Sequence, residues 1–226
     1  MHDTVVFLGS SLPVAEARRL LDAEFLPPIC RGDIDRLPAS IRFIGIIDGE
    51  FFQKLAISPK EIIKALDRGI KVYGSSSMGA LRAAETHTFG MVGIGRIFEQ
   101  FRDGILDADD EVAVAYEPGT YRALSDPMVN LREALALALS AGVITESQHH
   151  ELISAAKARY FPHRSWRALE EICPPLRMFA ESQPLPDAKR DDARALLTAM
   201  RSARKPASAE LEGTCAHAES STLADR

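Results

Sequence analysis

The stretch Ile70-Lys71-Val72-Tyr73-Gly74-Ser75-Ser76-Ser77-Met78-Gly79-Ala80-Leu81-Arg82-Ala83-Ala84-Glu85 decides the fold. Ile70–Tyr73 has the β-branched and aromatic character of a short strand. Gly74 ends it. Three serines follow, and the residues from Met78 to Glu85 are good helix formers. The pattern predicts strand, tight turn, helix. Ser75-x-Ser77-x-Gly79 also has the small-x-nucleophile-x-small outline of a nucleophile elbow, with Ser75 in place of the usual first glycine. Three readings of the turn compete. Serines before a helix are ordinary N-caps. A small-residue turn at a helix start can cradle a phosphate. A serine placed there can also be a nucleophile, since free N–H groups and the helix dipole favour developing negative charge.

Upstream, Ile41–Ile47 is a continuous apolar run, expected of a strand covered on both faces, and it ends in Asp48-Gly49. Ser58 reads as an N-cap and Pro59 as an N1 proline, so a helix is predicted from Pro59 to Arg68, with Gly69 as its stop. The order β-α-β implies a parallel pair with a right-handed crossover. A ten-residue helix is about 15 Å long, and the following strand returns about 13 Å. Lys60, in the first helical turn, is therefore expected at the same sheet edge as Asp48 and Ser77, with Lys71 left at the far edge. Residues beyond the carboxyl ends of parallel strands are where such folds place their sites.

Further upstream, Thr4–Leu8 reads as a buried strand that enters Gly9-Ser10-Ser11 and a helix from Pro13 to Leu21. The prolines of Phe25-Leu26-Pro27-Pro28 exclude a central strand. Downstream, the glycines from Phe89 to Gly95 lack the preceding strand and the spacing of a dinucleotide loop. A helix over Ile94–Arg102 follows, then an acidic loop, Asp107–Glu111, expected to be a solvated turn, and a strand, Val112–Tyr116. After Pro127 the pattern turns helical: Met128–Ala141, a Thr145-capped helix to Tyr160, a Ser165-capped helix to Ile172, and a last helix from Asp187 to Ala203. Together these predict an α/β core over residues 1–120, with a parallel-containing sheet and flanking helices. A helical C-terminal part over 121–203 and a disordered tail over 204–226 complete the expected organisation.

The chain of 226 residues is 46% hydrophobic and 26% charged, with a net charge of −5, so it is not a basic nucleic-acid binder. No apolar run is long enough for a membrane span, and the N-terminus lacks the basic region of a signal peptide. Cys30, Cys173 and Cys215 form neither a CxxC pair nor a zinc pattern, which points to a reducing cytoplasm. No metal or cofactor site is expected.

Several motifs occur in a fixed order: Gly32-Asp33-Ile34, Ile46-Ile47-Asp48-Gly49-x-Phe51, Pro59-Lys60-Glu61-Ile62, Gly74–Glu85, Gly90-Met91-x-Gly93-x-Gly95-x-Ile97-Phe98 and Asp109-Asp110-Glu111-Val112-Ala113. In this order they resemble the TfuA-like family. The segment Lys189-Arg190-x-Asp192-Ala193 is similar to that family's C-terminal helix. The resemblance implies a partner of YcaO-type enzymes, which activate peptide amides with ATP and install backbone thioamides. It also implies hydrolysis of the C-terminal thiocarboxylate of a ThiS-like sulfur carrier protein, which releases sulfide, and help in holding the precursor peptide. The implied site is a Ser-Lys pair, with Ser77 matching the serine and Lys60 aligned to the lysine. Ser76 adds a second hydroxyl that competes for the assignment. A neutral lysine can activate a serine if burial lowers its pKa. The N–H groups of Met78 and Gly79 are candidate oxyanion donors, and Asp48 and Arg82 candidate positioning groups. The alternatives are a non-catalytic scaffold for a YcaO enzyme and its peptide, and a phosphate binder at the serine turn.

Overall fold

The protein is described by a computed structural model covering residues 2–51 and 55–204. Cys215 and the tail expected after residue 204 lie outside the described residues.

The chain opens with β1 (Thr4–Phe7), α1 (Val14–Leu20), β2 (Glu24–Leu26), the short α2 (Asp33–Arg36) and β3 (Phe43–Ile46). Then come α3 (Pro59–Asp67), β4 (Lys71–Ser75), α4 (Met78–Thr86), β5 (Val92–Ile94) and α5 (Arg96–Arg102). All five strands are parallel, in the order β2-β1-β3-β4-β5. The proline-flanked strand β2 takes an edge, as its sequence requires. Side chains alternate between two faces. Val5, Phe7, Ile44, Ile46 and Val72 pack with Ile62 and Ala65 of α3 and Ala80 and Ala83 of α4. Val6, Leu8 and Tyr73 pack on the other face with Ala17 of α1. The sheet is therefore the middle layer of three.

Helix α3 starts as its sequence predicts, with Ser58 as N-cap and Pro59 as first residue. The structure adds Glu61, which accepts from both the backbone N–H and the hydroxyl of Ser58. Gly69, at φ +78°, ends the helix.

Four expectations need correction. Gly74 does not end β4, which runs on to Ser75. The glycine run after residue 89 contains a strand, β5, whose Gly93 leaves room for the Phe98 ring. Residues 112–116 form no strand; after a 3-10 turn at Asp109–Glu111 they run irregularly, with one antiparallel bridge from Tyr116 to Ala123. The acidic loop is not simply solvated, because Glu111 is 2% exposed and ion-paired.

The helical part holds α6 (Met128–Ser140), α7 (Glu146–Ala158), α8 (Trp166–Glu170), α9 (Pro175–Ser182) and α10 (Ala188–Ala203). Helices α6 to α9 build their own core around Leu135, Leu152, Trp166 and Leu176. Helix α10 instead lies on the sheet: Ala193, Leu196, Leu197 and Met200 join Val6, Leu8 and Tyr73. Gly45 of β3 permits this approach, since a Cβ there would stand 2.8 Å from the Met200 sulfur.

Candidate active site

The strand order reverses direction between β1 and β3, and the loops leaving the two strands part there. In open parallel sheets this is where ligands bind. The loop after β1 carries Gly9 and Ser11, and Asp48 follows β3. Asp48 accepts from the N–H groups of Gly9 (2.8 Å) and Ser11 (3.0 Å), and from the Ser11 hydroxyl (2.6 Å). A carboxyl group of the protein thus fills the cradle that these amides offer to an anion.

The serine turn stands beside it. Ser76 sits at φ +67°, in the left-handed region that residues other than glycine seldom enter. The Ser77 N–H donates to the Ser75 carbonyl (2.8 Å), closing a three-residue turn around Ser76. Such turns are rare and strained, and strain of this kind gathers at functional sites. The Ser76 hydroxyl donates to Ser11 (2.9 Å), and the Ser75 hydroxyl to the Asp192 carbonyl of α10 (2.8 Å). Ser77 is the N-cap residue of α4 and is 2% exposed. Its side chain caps no helical N–H. Glycine is required at the next turn: a Cβ on Gly79 would fall 1.8 Å from the Ile46 carbonyl oxygen. Helix α4 therefore starts directly against the end of β3.

Helix α10 delivers a residue that the strand-turn-helix motif does not announce. Lys189 is 3% exposed, and its Nζ donates to the Val112 carbonyl (2.9 Å) and lies 3.8 Å from Asp48 Oδ1. Burial lowers its pKa, while the negative Asp48 and Asp187 oppose that shift. The same Val112 carbonyl accepts from the Ser77 hydroxyl at 3.4 Å. Three residues on, Asp192 accepts from the N–H groups of Arg96 (3.0 Å) and Ile97 (2.8 Å), capping α5 from outside. Gly95, at φ +96°, leaves the space for that carboxyl. The spacing Lys189-Arg190-x-Asp192 thus sends one side chain to the site and another to the start of α5.

Val112 belongs to a strap, the irregular segment 109–116, and its carbonyl meets the serine turn at Ser77. Ion pairs hold the strap to the helical part. Glu111 accepts from Arg132 and Lys157, and Asp110 from Lys157 and from Arg164, which is itself buried. On the outer side, the strap and Gly49–Phe51 line a cavity of about 250 Å³ with Tyr116, Tyr160 and Phe161. The Tyr116 hydroxyl donates to Glu50 there.

The structure brings together Asp48, Ser76, Ser77 and Lys189. No hydrogen bond or ion pair links Lys60 to them: that side chain is exposed at the start of α3 and has no such partner among the described residues. Lys60 is open to solvent, whereas Lys189 is buried. Arg82 is held by the Ile57 carbonyl (2.7 Å) and Glu85 (2.7 Å), the latter an i,i+3 pair. The Gly79 N–H donates to the Ile47 carbonyl (3.3 Å), while the Met78 N–H has no acceptor among the described residues. The α4 N-terminus is therefore partly occupied, which argues against a phosphate cradle. Among the described residues no group of three or more His, Cys, Asp or Glu could hold a metal ion. No described helix is long and apolar enough to cross a membrane.

A protein-family model described as TfuA-like protein matches residues 48–165, just over half of the chain. The match includes Asp48, the serine turn and the strap, and leaves out Ser11 and Lys189. No curated protein matches the chain.

Proposed function

Because the chain belongs to the TfuA-like family, which is linked to YcaO-type thioamide formation, we propose that it hydrolyses the C-terminal thiocarboxylate of a ThiS-like sulfur carrier protein. The sulfide released would feed backbone thioamidation of a substrate peptide by the YcaO enzyme. The observation that carries this reading is the sharing of the Val112 carbonyl by a buried serine and a buried lysine. In this reading an acyl substrate's carbonyl takes the place of the Val112 carbonyl between the two groups.

In the proposed reaction the substrate displaces the Val112 carbonyl. Neutral Lys189 takes the Ser77 proton, and Oγ bonds to the acyl carbon. The Met78 N–H faces the developing oxyanion. The C–S bond then breaks, and sulfur leaves as hydrosulfide with the proton that Lys189 carried. Water, deprotonated by the same amine, attacks the acyl-serine ester; the C–Oγ bond breaks, and the departing Ser77 oxygen takes the proton back from Lys189. The net change is thiocarboxylate plus water to carboxylate, hydrosulfide and a proton. Lys189 serves better than Lys60 as the base because it is buried, which lowers its pKa, and shares an acceptor with Ser77, whereas Lys60 is exposed.

A second reading is favoured by the closure of the site. Ser77, Asp48 and Lys189 are all buried, and Ser77 and Lys189 both meet the strap at the Val112 carbonyl. In that reading the chain is a scaffold for a YcaO enzyme and its peptide, and the serine turn only joins β4 to α4. Sulfide release from a purified thiocarboxylated carrier separates the two. Release well above the protein-free rate supports the hydrolase. No release by a folded protein that still binds its YcaO partner leaves the scaffold.

A further inference from the structure

We propose that Asp48 is a positioning residue that acts through Lys189, and that its charge sets the proton affinity of the amine. The proposal rests on the reading of Lys189 as the base and assigns Asp48 a role toward the protein's own lysine, with no contact to substrate.

The geometry has three parts. Asp48 is 4% exposed, and its Oδ2 is taken by the N–H groups of Gly9 and Ser11. The carboxyl is thereby fixed in rotation. Its Oδ1 accepts the Ser11 hydroxyl and lies 3.8 Å from Lys189 Nζ. Ser11 in turn accepts from Ser76, the strained residue of the serine turn. One carboxyl group therefore ties the β1 loop, the serine turn and the α10 lysine together.

The electrostatics are as specific. Lys189 faces Asp48 from the end of β3 and Asp187 from its own helix cap, and both favour the ammonium. Among the described residues, the strap and α6 meet Lys189 through neutral groups, the Val112 carbonyl and the Asn130 side chain, which accepts the Lys189 backbone N–H, while the strap's Asp110 and Glu111 are paired with Lys157, Arg164 and Arg132. Burial by itself pushes the amine toward neutrality. Asp48 moderates that push, so the amine can take a proton and return it within one cycle.

The test reads the lysine directly and needs no substrate. Full-length protein carries ¹⁵N at lysine Nζ, and Lys189→Met identifies the Lys189 signal. Removing the negative charge lowers the Lys189 pKa, by about one unit for Asp48→Asn. Asp48→Ser, which also keeps an acceptor, carries the same expectation should Asp48→Asn not fold. Asp48→Glu keeps the charge and stays within about half a unit of the original protein. Ser11→Ala removes a hydrogen bond but no charge, and leaves the pKa where it was. An unmoved Lys189 pKa in a folded neutral variant overturns the proposal, as does an equal shift in Ser11→Ala. The rate profile provides an independent readout. The pH at which sulfide release reaches half its plateau moves to lower pH in Asp48→Asn by the same amount. A shifted titration without sulfide release from any protein upholds the Asp48–Lys189 coupling and removes the hydrolase reading. Sulfide release with an unshifted titration does the reverse.

Discussion

Lys189 and Ser77, 112 positions apart in sequence, donate to one atom, the carbonyl oxygen of Val112, at 2.9 and 3.4 Å. A lysine from the last helix and a serine from the central motif are thus held around a single acyl-like oxygen. The backbone that supplies this oxygen is part of the irregular strap.

The first prediction concerns the base. Lys189→Met lowers sulfide release by at least roughly a hundredfold, the scale of a lost general base. Lys60→Ala and Lys71→Ala keep it, because their side chains are exposed. Rates are compared at equal folded fraction, measured by circular dichroism. Loss in Lys60→Ala with retention in Lys189→Met would return the role to α3.

The second prediction concerns the strap. Burial alone would raise the Glu111 carboxyl, but hydrogen bonds and charge from Arg132 and Lys157 hold it below its usual range. Asp110 is held down likewise by Lys157 and Arg164. A carboxyl depressed in the folded state stabilises above its unfolded pKa, and that stability is lost as pH falls through the folded value. The strap ion pairs therefore stabilise at neutral pH and fail on acidification below about pH 4.5, the usual glutamate value. Glu111→Gln lowers stability at pH 7 by about 1–3 kcal/mol, with its cationic partners part-exposed. Its stability also falls less steeply between pH 5 and 3, as thermal melts across about that range would record. A parallel acid limb in both proteins would mean that Glu111 is not part of the device.

The third prediction concerns the contact between α4 and β3. Gly79→Ala would place a Cβ 1.8 Å from the Ile46 carbonyl oxygen and 2.6 Å from its carbon, both backbone atoms that cannot step aside. The cost is about 3 kcal/mol or more, at the upper end for overpacking. Gly69→Ala, at φ +78° with open space around it, costs about 1 kcal/mol. Denaturant melts of the two variants should differ accordingly, and similar midpoints would contradict the packing account.

Much of the α/β part was legible because local signals agreed there. Ser58 and Pro59 mark the start of α3, Gly69 marks its end, and the apolar run before Asp48 and the strand before the serines pair in parallel. The strand β5 was hidden because Gly93 and Gly95 read as loop, while their true role is to admit Phe98 and Asp192. Residues 112–116 have strand-like composition, yet Val112 spends its carbonyl on two side chains rather than on a ladder. Helix α9, not expected from the sequence, begins at the second of two consecutive prolines: Pro174 precedes it and Pro175 is its first residue, where a missing N–H costs nothing.

The site was half legible. Asp48 and the serines follow from the strand ends. Lys189 does not, because nothing local in the central motif points to α10. A signal was nonetheless present. Residues 189, 192, 193, 196, 197 and 200 fall on one face of a helix, and all are buried. A lysine on the apolar stripe of an otherwise amphipathic helix requires an internal partner.

The central claim is that Ser77 is the nucleophile, and sulfide release by Ser77→Ala beside Ser76→Ala tests it most directly. Both hydroxyls are buried, one residue apart, and only that of Ser77 shares an acceptor with Lys189. The account predicts that Ser77→Ala loses sulfide release by at least about a hundredfold while staying folded, and that Ser76→Ala is much milder. A folded Ser77→Ala protein that releases sulfide at the original rate would contradict it.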